Sequence, residues 1–171
     1  GDRVDMTVIP NISVGIGTTT PVSVIYNSEF DKLIVNPVSF TSSNVGTNEI
    51  EITDHNFKTG DKVFYDGGAT GIETGSYFIY EINSSKFNLV KTIIDLNSDP
   101  VRIVPITANT GGNQTIGLIN PRIDVVRNSK LKFGLSNTSL AGFDFKIFYD
   151  KNLTNEYFSS QDSSSFNVGT A

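Results

Sequence analysis

The sequence contains no cysteine. That excludes a disulfide framework, a thiolate nucleophile and a zinc–thiolate site. It also removes the staples on which many small secreted domains depend. There is one histidine, His55. A transition-metal centre ordinarily draws on two or more His or Cys ligands, so a lone His is a poor start for one. Charge is sparse, at 18% of residues against about 25% in ordinary domains. No Lys/Arg cluster supplies the basic face that phosphates require, and the formal net charge is −5. Nucleic acid is therefore not an expected partner. No apolar run approaches the roughly 18 residues of a membrane helix, so membrane insertion is not expected either. Leu and Ala, the usual helix builders, are scarce.

Short polar residues fill the gap. Ser, Thr and Asn make up roughly a third of the 171 residues. Their side chains compete for backbone hydrogen bonds, which favours turns and strand surfaces over helix interiors. Phe, Tyr, Val and Ile supply most of the apolar content, and these are strand formers.

The periodicity agrees. In NEIEIT, Ile50 and Ile52 share a face while Glu49, Glu51 and Thr53 point away. Phe87 and Leu89 alternate in KFNLVKT, as do Leu131, Phe133 and Leu135 in KLKFGLS. In FDFKIFYD the alternating set is Phe143, Phe145, Ile147 and Tyr149. A period of two marks half-buried strands. Turn signals recur at short intervals, among them SSNVGTN, DGGATG, NSSK, NTGGNQ and LSNTS. The expected fold class is all-β: tandem small β-barrel or β-sandwich modules with long loops.

Four stretches are expected. Residues 1–43 form an extended docking or edge-strand segment, broken by Pro10, Pro21 and Pro37, whose strands should be short or lie at edges. Residues 44–92 form a small β module. Residues 93–119 form a linker with possible strands of its own. Residues 120–171 form a β-sandwich-like module. The chain opens on GDRVDMTVIP and closes on SSSFNVGTA, which suggests a piece of a longer protein.

The stretch Asp54 to Asp66, DHNFKTGDKVFYD, admits two readings. His55 with Asp54, Asp61 and Asp66 could be an acid/base or metal site. It could equally be a strand, a tight turn and a second strand. The second reading is favoured: Gly60-Asp61 supplies the positive φ of a tight reversal, and Phe57 can tuck beneath it. His55, Phe57, Gly60 and Asp61 are then structural, with no catalytic, cofactor-binding or metal residue among them. The calcium alternative at the three Asp residues lacks the spacing of a known loop.

The order of strand, HxFxxGD turn, strand, Gly-rich loop, strand, NSSK turn and strand resembles a small β module. This module is repeated in virion structural proteins of tailed phages, especially myovirus-like phages of marine cyanobacteria. The matching residues are His55, Phe57, Gly60, Asp61, Val63, Tyr65, Gly75, Tyr77, Phe78, Ile82, Phe87 and Leu89. A β domain of ubiquitin-activating enzymes is similar at the level of fold alone. Further on, NPRIDVVRNSKLKFGLSNTSLAGFDFKIFYD resembles the opening strands of a cupredoxin-like or Ig-like sandwich, with Asn128-Ser129 at the hairpin turn. That stretch has no His, Cys or Met, so copper chemistry is not implied.

Other signals are weaker. Gly15-Ile16-Gly17 and Gly111-Gly112 lack the GK[ST] ending of a phosphate loop. No GxSxG nucleophile elbow occurs. Acceptor patterns for N-glycosylation begin at Asn11, Asn83, Asn113, Asn137 and Asn152, as chance allows in so Asn-rich a chain. Tyr65, Tyr80, Phe148, Tyr149 and Phe158 could form a sugar-binding platform, or they could be core and interface residues.

The resemblance implies a structural component of a phage virion (baseplate, tail or fibre-associated) located in the tail or baseplate. It would be no enzyme, would need no cofactor, and would act by packing against other virion subunits, including copies of itself. The alternative is an adhesin module of a phage fibre or bacterial surface, extracellular, with a host surface glycan as partner.

Overall fold

The structure, a computed structural model, describes residues 7–14, 19–67, 72–106, 112–127 and 130–156. The chain is all-β. Ten strands are present among the described residues, with one α-helix of four residues, α1 (Ile93–Leu96). No described helix is long and apolar enough to cross a membrane. The fold divides into two compact units. One is Ile34–Pro121; the other combines Gly1–Leu33 with Arg122–Ala171.

The central unit is an antiparallel sheet. Its strands are β3 (Lys32–Phe40), β4 (Ile50–Glu51), β5 (Lys62–Asp66), β6 (Gly75–Asn83), β7 (Lys86–Val90) and β8 (Gln114–Leu118). They lie in the order β3-β8-β5-β6-β7-β4. A flat sheet of six strands would set its outer strands about 24 Å apart. Yet Val45, five residues beyond the end of β3, bridges Ile50 in β4; three of those five form a 3-10 turn, Ser42–Asn44, rising only about 2 Å per residue, so even with the roughly 5 Å of the bridge the connection falls well short of that span. The sheet therefore curls. Its concave face gathers Phe40, Val45, Ile50, Phe57, Val63, Tyr65, Tyr77, Ile79, Phe87, Leu89 and Ile116 into one core. The alternation in the sequence explains the set, because a period of two places these residues on the same face of successive strands.

Residues 93–119, expected as a linker with possible strands of its own, fall within this unit and supply β8. β8 pairs with both β3 and β5, and Val104 N–H donates to Leu89 O, in the part of β7 beyond its pairing with β4. Close packing at β8 selects glycine. Gly117 sits opposite Phe64, and a Cβ there would overlap the Ile34 side chain and lie 3.1 Å from Pro37 Cα.

The other unit is built from both ends of the chain. β1 (Thr7–Val14) runs parallel to β9 (Arg122–Arg127), from Thr7↔Arg122 to Val14↔Arg127. β2 (Thr19–Asn27) runs parallel to β10 (Lys130–Gly134), from Thr19↔Lys130 to Ser23↔Gly134. Val22 and Val24 are buried, with Leu140. Tyr26 meets Phe143 edge-on at 4.8 Å, and Phe133 meets Phe145 at 4.8 Å.

Three local expectations change. Pro21 and Pro37 fall in strands that are neither short nor at an edge, for β2 and β3 are nine residues each and lie inside their sheet, whereas Pro10 lies in β1, an edge strand as expected. Pro37 falls inside the bulge between Val35 and Val38, where the ladder shifts and needs no donor. β9 and β10 do not form a hairpin. The Asn128-Ser129 turn lies outside the described residues, and each strand pairs with a distant partner, β9 with β1 and β10 with β2. Phe143 and Phe145 are half-buried as expected, but Ile147 and Tyr149 are exposed and Phe148 is half-buried instead; the stretch forms no ladder among the described residues, and only Phe148 makes an isolated bridge, with Glu156. Its Phe rings pack against Tyr26 and Phe133, so side-chain burial stands in for backbone pairing.

Candidate functional site

The turn from Asp54 to Asp61 is held by backbone and side-chain bonds along its length. It is not a hairpin, because β4 pairs with β7 and β5 pairs with β6 and β8. The turn carries the chain from the edge strand across the β6–β7 pair to β5. Ile52 N–H donates to Ser85 O (2.9 Å) and His55 N–H to Ser84 O (3.2 Å), which docks the segment on the tip of the β6–β7 hairpin.

His55 completes the docking. Its Nε2 lies 2.8 Å from Asn83 O, and its Nδ1 lies 2.9 Å from Phe57 N. A backbone carbonyl can only accept and a backbone N–H can only donate. The ring is thereby fixed as the neutral tautomer with hydrogen on Nε2. The ring is 5% exposed, stacked on Phe57 and edge-on to Phe87 at 5.0 Å. Asp54 (φ 52°) and Asn56 (φ 59°), on either side, adopt left-handed backbone, which Asp and Asn tolerate best among residues with a side chain.

The second half of the turn clamps onto β6. Gly60, at φ 97°, donates to Ile79 O, and Ile79 N–H returns a bond to Asp61 O. Asp61 Oδ2 accepts from Lys58 N–H at 2.9 Å. Thr59 Oγ1 accepts from Glu81 N–H, and Lys58 Nζ reaches Glu81 at 3.1 Å. Phe57 is buried beneath.

Chemically, the site binds the fold to itself. Both His55 nitrogens are engaged, the Asp61 carboxylate caps the turn, and Asp54 and Asp66 are exposed. Among the described residues, no three His, Asp or Glu side chains gather closely enough to hold a metal. Gly15 to Thr18, Gly111 and Phe158 lie outside the described residues. Of the aromatic platform, Tyr65 is fully buried, Phe148 half-buried, and Tyr80 and Tyr149 exposed.

Two polar features escaped the sequence. Asn48, at φ 62°, accepts from Ile106 N–H through its side chain (2.9 Å) and from Asn88 Nδ2 through its carbonyl (2.6 Å). This clasp holds the segment after α1 against β7. Tyr65 Oη donates to Gln114 Oε1 at 2.5 Å inside the core, and a Cβ at Gly67 would collide with both side chains. The only signal was polarity at strand positions, which surface residues share. Tyr77 carries a third polar contact, from its hydroxyl to Glu73 O at 2.6 Å. Burial, followed by the Glu73 carboxylate, raises its pKa above the ordinary tyrosine value.

No known protein family, curated protein or solved structure matches this chain.

Proposed function

We propose that the chain is a structural component of a tailed-phage virion, at the baseplate, tail or fibre, that works by packing against other subunits and copies of itself without chemical turnover. The observation that supports this most is the part played by the residues of the virion-like module. His55, Phe57, Val63, Tyr65, Tyr77, Phe87 and Leu89 are all buried in one curled sheet, and Gly60 and Asp61 shape its crossing turn. A motif most of whose members build the core or its turn, with Ile82 exposed as the exception, suits a protein selected for its shape. Mass spectrometry of purified virions carrying this sequence tests the reading. The chain should appear at a fixed stoichiometry with the tail proteins, and its absence from washed particles would overturn the proposal.

A second reading, a glycan-binding adhesin module, draws on Tyr149, which is 68% exposed. Exposed aromatic rings are common sugar platforms. Saturable binding on a glycan array, lost in Tyr149→Ala, would favour it over the packing role.

A further inference from the structure

His55 is the one histidine of the chain, and both of its nitrogens are in use. Nδ1 accepts from Phe57 N–H at 2.9 Å, and Nε2 donates to Asn83 O at 2.8 Å. A third partner at either nitrogen would have to displace one of these. The residue is 5% exposed, stacked on Phe57 and edge-on to Phe87. Imidazole is also the side chain whose ordinary charge change falls between pH 5 and 8. The bond that shapes this turn is thus made by a group that mild acid can charge.

A second proton has one place to go, Nδ1. An imidazolium carries N–H on both nitrogens and accepts nothing. Phe57 N–H would then face another donor across the same 2.9 Å, and a buried backbone N–H would lose its acceptor. The new charge would sit where water hardly reaches, which adds to the cost. Two effects run the other way. The Nε2 bond to Asn83 O gains from the charge, and the stacked Phe57 ring offers its face to a cation. Neither restores the acceptor. The charged groups on the elements around the ring have other engagements or face water. Within the turn, Asp61 accepts from Lys58 N–H, Lys58 Nζ pairs with Glu81 of β6, and Asp54 is exposed. Lys86 of β7 pairs with Glu49.

We propose that His55 is an acid-operated latch on the first half of the turn. Protonation at Nδ1 breaks the bond to Phe57 N–H and releases Asp54 to Phe57 from their folded shape. Asp54 (φ 52°) and Asn56 (φ 59°) hold left-handed backbone, which relaxes when the ring lets go. The second half stays clamped on β6. Its bonds from Gly60 N–H to Ile79 O, from Ile79 N–H to Asp61 O and from Glu81 N–H to Thr59 Oγ1 do not involve the imidazole. The direction follows from linkage. The open turn takes up a proton as a free imidazole does, as pH falls through about 6.5, whereas the closed turn takes it up only by opening. The stability of the closed turn is therefore full above that value and is lost as pH drops below it. The latch operates whether or not the chain belongs to a virion, so its test is separate from particle composition.

The test follows the full chain by NMR from pH 7 to 5, a window above the ordinary carboxylate range. Protection of the Phe57 amide, corrected for the intrinsic exchange rate at each pH, should fall about tenfold per pH unit below about 6.5, the slope of one proton. The imidazole nitrogen shifts should report a bare Nδ1 for as long as that amide is protected. Phe57 should be less protected than Ile79 throughout. In His55→Gln, which cannot titrate, the pH dependence at Phe57 should vanish. Three results would overturn the proposal: Phe57 protection that holds constant to pH 5, a fall of the same slope in His55→Gln, or a protonated Nδ1 with the Phe57 amide still protected. Should the variant not fold, the titration of the unaltered chain decides through the first and third of these.

Discussion

His55 holds two backbone groups that are 26 residues apart in sequence, accepting from Phe57 N–H at Nδ1 and donating to Asn83 O from Nε2. One side chain thus shapes its own turn and fastens that turn to the β6–β7 hairpin. The Phe57 and Phe87 rings against it keep water away, which strengthens both bonds and raises the cost of losing either.

His55→Ala should therefore destabilise the chain by about 2–4 kcal/mol, through two orphaned backbone groups and a cavity between aromatic rings. His55→Gln can keep one bond and should cost about 1 kcal/mol. Urea unfolding followed by tyrosine fluorescence gives both values. Equal and negligible costs would show that the turn stands without the imidazole.

Gly117→Ala should be costly although it adds one methyl group. The new Cβ meets Ile34 and the β3 backbone at Pro37, and the backbone cannot rotate away as a side chain can. Overpacking of this kind costs about 1–3 kcal/mol. Gly112→Ala, where a Cβ meets nothing, is the control and should be near neutral. The difference in unfolding midpoint between the two variants checks the prediction.

Asn48→Ala should loosen one segment more than the whole. It removes the acceptor for Ile106 N–H and strains a φ of 62° that Asn tolerates better than Ala. Amide exchange at Ile106 and Val104 should accelerate, while Ile79 and Leu89 in the sheet centre should change little. Uniform acceleration across the sheet would mean that the clasp stabilises the entire unit.

Acid should loosen the turn after Phe148. The Thr154 hydroxyl (2.7 Å) and then the Asn155 N–H (2.7 Å) hold the Asp150 carboxylate below its ordinary pKa. A depressed folded value means that the stabilisation is present above the unfolded pKa, near 3.9, and is lost as pH falls through the folded value. Exchange-sensitive NMR of the Thr154 and Asn155 amides should show the loss below pH 4. Asp150→Asn should abolish that pH dependence.

The strands themselves were largely legible. Alternation at Ile50, Phe87, Leu89, Leu131 and Phe133 marked segments that are strands in the fold. The turn residues were legible too, because Gly60 and Asp61 act within a few residues of their own positions. Phe143 to Ile147 shows where this reasoning stops. Its alternation is as clean as that of β10, yet no neighbouring strand offers its backbone a ladder. The Asn48 clasp and the Tyr65–Gln114 pair were hidden because a polar residue that is buried and satisfied looks, in sequence, like one facing water.

The sequence by itself determined the all-β class, the faces that turn inward and the local geometry of the crossing turn, since these depend on side-chain period and on φ preferences of neighbouring residues. Only the tertiary structure decided the partners. A period of two says which face a strand buries but not which strand lies beside it, because every backbone offers the same donors and acceptors. Hence β4 joins β7 and not β5, β8 enters the middle of the central sheet, and β1 and β2 lie parallel to β9 and β10 from the other end of the chain. Parallel pairing between segments over a hundred residues apart leaves no local signature, because it rests on burial that exists only once both segments have arrived.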